Sequence, residues 1–431
     1  MNFARRLWPK SRGKRWITVG ALMVLFLSAL WTAAFFAMER QVNEAWDFTD
    51  RFGLSNDFAE LLGPRIPPEE NAAVPFQEAV AIAIEALAKS PEFRSNTYSI
   101  TPEMLSSPIE LMNDSRYESQ LVEVDRRSNY RPLIDDEYPI IWQCEDFAWK
   151  TMRLTSTEIA IARRLAIEGR THHAVQRLLR YSRICRKWQG KEPTLWGVDT
   201  GVRAIFGADG ICAELSFILR SATPLGPELH DAIDAEVAAS GDILRDCLFA
   251  AQAERLAFLY RCQYDAPLGD SFVFLPYAYL DDRCSLEYFN QSMLNLTQSG
   301  LGGIEKQKRL EQQVGESAKD FFHRIVHPVS SQGLTQLVSL HSRIPFALAM
   351  SRCLRIVNAL ARKGDFTAPL ESLGLPPDCL IDPYDGKPLR TKRTPDGPIV
   401  YSVGIDLKDD DGESKAWRDY GFGPRAKAMK K

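Results

Sequence analysis

The chain has 431 residues, 45% of them hydrophobic and 25% charged, a balance that excludes wholesale disorder and leaves room for more than one domain. Its net charge of −3 conceals an asymmetry: Arg5, Arg6, Lys10, Arg12, Lys14 and Arg15 precede Trp16, while the first acid is Glu39. The rest of the chain is therefore acidic, which argues against nucleic acid as a partner, because phosphate binding needs a basic face.

Residues 1–15 read as a cytoplasmic basic tail. The run from Trp16 to Met38, WITVGALMVLFLSALWTAAFFAM, holds no charge. As a helix it would measure roughly 34 Å at about 1.5 Å per residue, enough to cross the hydrocarbon layer. Basic residues before it and Glu39 after it predict a single-pass anchor in the inner, cytoplasmic membrane, with the N-terminus inside and the body extracytoplasmic. A cleaved signal peptide is the other reading, with Thr32-Ala33-Ala34 as its one tolerable cleavage site. Residues 39–70 form a juxtamembrane stretch that the proline-rich PRIPPEE breaks.

Residues 71–365 are expected to be a helical body, a multi-helix bundle or short helical solenoid. Asn71 is placed to cap its first helix. TSTEIAIARRLAIEG carries Ile159, Ala162, Leu165 and Ala166 on one stripe, and Gly169 ends it. THHAVQRLLRYSRICRKW resumes with Val175, Leu178, Leu179, Ser182 and Cys185 at helical spacing. The pair resembles one tetratricopeptide unit, but no second copy follows at a 34-residue period. Further helices are expected around residues 304–326 and 332–363. Ahead of them an insert interrupts the body and gathers Tyr264, Phe272, Phe274, Tyr277, Tyr279, Tyr288 and Phe289. It reads as a loop pinned to the bundle by its aromatics, or as a stacking groove.

The eight cysteines all follow the apolar run, and none forms C-x-x-C. Disulfides and small buried hydrophobes both remain open for them. Glu316, Asp320, His323 and His327 are spaced four, three and four apart, so they share one helix face and could ligate a transition metal. Arg324 stands where a zincin would carry its glutamate, and a solvated helix end is the competing reading. G-x-S-x-G, P-loop and H-E-x-x-H motifs do not occur, which weighs against an enzyme.

The last segment, residues 366–431, changes character. PLRTKR and PIVYSVG are strand-like and joined by TPDG, so a β-hairpin is predicted, with Pro395, Asp396 and Gly397 at its turn. Asp382, Asp385 and Gly386 form a preceding turn, DPYDG. After the second strand come Ser402, Asp406, Asp409, Asp410 and Asp411, an oxygen-only donor set suited to calcium.

The stretch LGLPPDCLIDPYDGKPLR…DGPIVYSVGIDLKDDDG, from about Gly374 to Glu413, is similar to the C-terminal region of major type II secretion pseudopilins. Those proteins end in a DPWGxPY turn, an aromatic-Ser-x-Gly strand and an Asp-rich calcium loop. The resemblance implies Ser402, Asp406 and acids such as Asp409 and Asp411 as calcium ligands. Ile399 stands where the family usually has an Asp, and the prepilin leader is missing, so the whole chain is not expected to be a pseudopilin. The full layout resembles membrane-anchored proteins of planctomycete-type bacteria, which share the anchor, the Asn71-Ala72-Ala73-Val74-Pro75 helix start and this ending. That family has no established activity to carry over. The expected fold is thus mainly α, with one transmembrane helix and a small C-terminal hairpin. The expected function is interaction or scaffolding with a protein partner in the envelope; the alternative is a metal-dependent hydrolase.

Overall fold

A computed structural model describes residues 12–52, 58–88, 111–133, 141–191, 195–220, 224–241, 243–264, 291, 306, 309–310, 312, 330–394, 397–412 and 419–423. The long helix α1 (Arg12–Phe52) comes first, followed by α2 (Phe58–Leu62) and α3 (Ala73–Ala88). Then come α4 (Ser115–Arg126), α5 (Ile141–Ile167), α6 (Thr171–Gln189), α7 (Leu195–Phe206) and α8 (Ile211–Leu219). α9 (Pro227–Gly241), α10 (Leu244–Tyr264) and α11 (Ser330–Lys363) complete the helices. Two 3-10 turns lead into the strands β1 (Arg390–Thr394), β2 (Gly397–Ser402) and β3 (Tyr420–Phe422). The protein is mainly helical, as its periodicity predicts.

Asn71 caps as expected and does more. Its Oδ1 accepts from the Ala73 N–H at 3.1 Å and from the Arg131 N–H at 2.9 Å, while its Nδ2 donates to the Arg131 carbonyl at 2.9 Å. One buried amide thus starts α3 and fastens the extended segment that follows α4. Asp114 caps α4 through the N–H groups of Arg116 and Tyr117. The other end of α4 is closed from outside: Lys187 Nζ, on α6, donates to the carbonyls of Val124, Asp125 and Arg127. A cation at a helix C-terminus satisfies orphan carbonyls and complements the dipole.

The α5–α6 hairpin buries the two stripes read from the sequence, with Ala166 half-buried and the others in the core. Its first helix, however, begins well before TSTE. The Thr155-Ser156-Thr157 run has a cap's composition but lies in mid-helix, where each hydroxyl bonds back one turn: Thr155 to the Thr151 carbonyl, Ser156 to that of Met152 and Thr157 to that of Arg153. The predicted helix near residues 304–326 falls almost wholly outside the described residues.

α11 is the organising element. It packs on α7, α8 and α9 and also against β2 and β3. Its segment Ser342–Lys363 is the one described helix that is long and apolar enough to cross a membrane, yet 67% of its most apolar stretch is buried inside the protein. Arg355 pairs with Asp234, Arg352 donates to the Ile381 carbonyl, and Asn358 bonds His230, so its polar groups are matched to neighbours in the body. It is a core helix. Trp16 to Met38 falls within α1, whose shorter apolar stretch Val19–Ala34 exposes its side chains.

The predicted hairpin forms, with Arg390 opposite Tyr401 and Thr394 opposite Gly397. Gly386 and Gly397 both take positive φ, as the two turns require. A third strand completes the sheet, β3 pairing with β2 through Val400–Phe422 and Ser402–Tyr420. The expected hairpin is therefore a three-stranded antiparallel sheet. β3 spans only three residues, too few to show a period of two in the sequence.

Candidate functional site: the C-terminal acidic loop

The acids of the C-terminal segment separate into a buried hub, an exposed loop and a second buried carboxylate. Asp382 is the hub, with no exposed surface. Its Oδ1 accepts from the Tyr384 N–H at 2.9 Å and the Ser402 hydroxyl at 2.8 Å. Its Oδ2 accepts from Arg390 Nη1 at 2.8 Å and the Val403 N–H at 3.0 Å. Four donors satisfy the carboxylate and tie the DPYDG turn to the end of β2. Asp385 shares the Arg390 guanidinium and accepts from the Lys387 N–H. Burial raises its pKa, but these donors outweigh it and hold the group below the usual carboxylate range.

Ser402 is consequently engaged by Asp382. Its hydroxyl donates to Asp382 and accepts from the Gly404 N–H at 3.2 Å, in full burial. Asp406, Asp409 and Asp411 are exposed. Asp406 accepts from the Lys408 N–H, and Asp409 Oδ1 accepts from the Tyr401 hydroxyl at 2.9 Å and the Asp411 N–H at 3.0 Å. Asp411 has φ of 62° and stands 3.4 Å from Lys392 Nζ.

Asp419, which sequence reasoning missed, completes the loop from the start of β3. It is 2% exposed, and its Oδ2 accepts from the Gly412 N–H at 2.7 Å. Its Oδ1 is buried with no hydrogen-bond partner among the described residues. Burial raises its pKa; the backbone N–H groups of Gly412 and Asp410 oppose this, but the neighbouring charges of Asp409 and Asp410 add to the rise and the group stands above the usual carboxylate range. Burial and the Asp409 bond push the Tyr401 phenol upward as well. An oxygen-only donor set with a bare buried carboxylate oxygen fits a hard cation. Among the described residues no three acidic, His or Cys side chains stand together as a metal-binding group. A cation here would therefore draw on one or two carboxylates with backbone carbonyls and water.

Glu316, Asp320, His323 and His327 lie outside the described residues, as does the aromatic insert. Cys185, Cys212, Cys247, Cys353 and Cys379 are buried and unbonded. Burial pushes all five thiols up, which suits small core hydrophobes and not nucleophiles. The side chains of the other three cysteines are outside the described set.

Compared with known protein families, curated proteins and solved structures, the chain matches none.

Proposed function

We propose that the protein is a single-pass component of the inner membrane, N-terminus in the cytoplasm, whose extracytoplasmic helical body and β-sheet cap serve as an interaction scaffold. The observation that carries this reading is the exposure of α1. Trp16, Ile17, Leu25, Phe26 and Phe36 are each more than 60% exposed, while the apolar stripes of α5, α6 and α11 are buried. A solvated helix with such a surface is unfavourable, and hydrocarbon removes the cost at about 25 cal/mol per Å² of apolar area. At 41 residues and about 1.5 Å per residue, α1 outlasts the bilayer and continues as a stalk toward the body.

The C-terminal cap follows the pseudopilin-like pattern of turn, strand and acidic loop. It is read as a calcium-stabilised module in which Asp409 and Asp419 supply carboxylate oxygen. Calcium would neutralise the loop and fix it on the sheet; no chemical step is assigned to it.

The experiment is fractionation followed by protease added from outside the cytoplasmic membrane. The chain is expected in the membrane fraction, resistant to high-salt wash, with its body digested and residues 1–38 retained. A body protected from protease, or a chain released by salt, would overturn the topology.

A further inference from the structure

Arg220 closes the C-terminal end of α8 and stands between that helix and the sheet. Its Nη2 donates to the Phe422 carbonyl at 2.7 Å. Its Nε and Nη1 are buried and meet no acceptor among the described residues. Among the described residues no carboxylate pairs with it, and burial lowers its pKa, to about 10. Ser216 lies four residues earlier, on the same face of α8, since α-helical residues four apart are stacked neighbours. It is 2% exposed, and its hydroxyl also has no partner among the described residues.

Unmade hydrogen bonds to buried groups are costly, and an uncompensated buried charge more so. Here two N–H groups of a cationic fork and a hydroxyl one helical turn away lack an acceptor among the described residues. We propose that Ser216 and Arg220 form a receptor for a carboxylate. One guanidinium balances one carboxylate, whereas a phosphate dianion would leave a surplus negative charge. The carbonyls at the end of α8 repel any anion, so the site depends on Arg220, with Ser216 donating to the second oxygen.

The test titrates acetate against chloride at constant ionic strength, using the full chain in detergent micelles and following its melting temperature. A saturable rise is expected in the wild type, several-fold weaker in Ser216→Ala and absent in Arg220→Met. Acetate binding to the wild type is also read directly, by line broadening of labelled acetate, so the outcome does not depend on the variants folding. A short peptide with a free C-terminal carboxylate and its amidated form run in parallel and separate a peptide terminus from a small free acid. Binding of acetate or of the free-acid peptide alone supports the site. Absence of binding by both, equal binding of the amidated peptide, or an undiminished rise in a folded Arg220→Met variant overturns it.

Discussion

Glu158 illustrates a residue whose meaning lies in its partners. It is 1% exposed and accepts two bonds from Arg177, at 2.8 Å each, and one from the Tyr117 hydroxyl at 2.6 Å. Arg177 also bonds Glu118, which Arg180 holds from the other side. Glu158→Ala leaves a buried guanidinium underpaired and is expected to cost about 3–5 kcal/mol in urea denaturation. The double variant Glu158→Met with Arg177→Met should recover most of that loss. Unchanged stability in the single variant would show that Glu118 and water suffice for Arg177. Asp382→Ala removes the acceptor of four donors. It should melt the cap before the body, seen as early proteolytic cleavage between β1 and β3 while the helical signal persists. In the sequence Asp382 reads as a turn residue, and its second role depends on Ser402, Val403 and Arg390 arriving from later in the chain.

At the scale of elements, the sheet and α4 give separate tests. Gly421 sits in β3 where a Cβ would fall 2.7 Å from the Tyr401 Cα and closer still to the Val400 carbonyl. Gly421→Ala must therefore force β3 from β2, and a loss of about 2 kcal/mol or more in cap stability is expected. A cap that melts as in the wild type would show that the β2–β3 pairing is looser than drawn. α4 is held by acid–arginine contacts. Burial raises the Glu118 pKa, but Arg177 and Arg180 outweigh it and lower the group overall; bonds from Arg126 and Arg127 bring Glu123 down to about 2. Both folded values lie below the unfolded ones, so their contribution is complete above the ordinary glutamate value of about 4.3. It is lost as pH falls from there toward 2. Hydrogen exchange in α4 should accelerate over that window, and Glu118→Gln should remove part of the dependence. The α5 hydroxyl run belongs at this scale too: TSTE carries a cap's composition, and only the surrounding turns of helix reveal that its hydroxyls bond backward.

For the whole molecule, removal of residues 1–52 should give a water-soluble body with an unchanged melting temperature, because the described large apolar side chains of α1, such as Trp16, Leu25, Phe26 and Phe36, are exposed. Aggregation of that fragment would mean that α1 covers a body surface. Calcium is expected to raise the melting of the cap modestly and a chelator to reverse it, with Asp419→Asn abolishing the response. A cap indifferent to both would reduce the loop to a structural role.

The sequence by itself determined what depends on local chemistry: the charge-free run, the amphipathic stripes of α5 and α6, the Asn71 cap and the turns at Gly386 and Gly397. These follow from periodicity and backbone preference, which neighbouring residues express wherever the segment ends up. Tertiary structure alone decided the rest. An apolar pattern over residues 342–363 suits a membrane or a core equally, and the pairing of Arg355 with Asp234 and of Asn358 with His230 places it in the core. Ser402 and Asp419 have contacts that the sequence does not display, for the same reason. Ser402 turns inward to Asp382, whereas Asp419, beyond the visible acidic run, is carried to the loop by a three-residue strand. Which oxygen faces which charge is set by pairing across the sheet, and distance along the chain does not encode it.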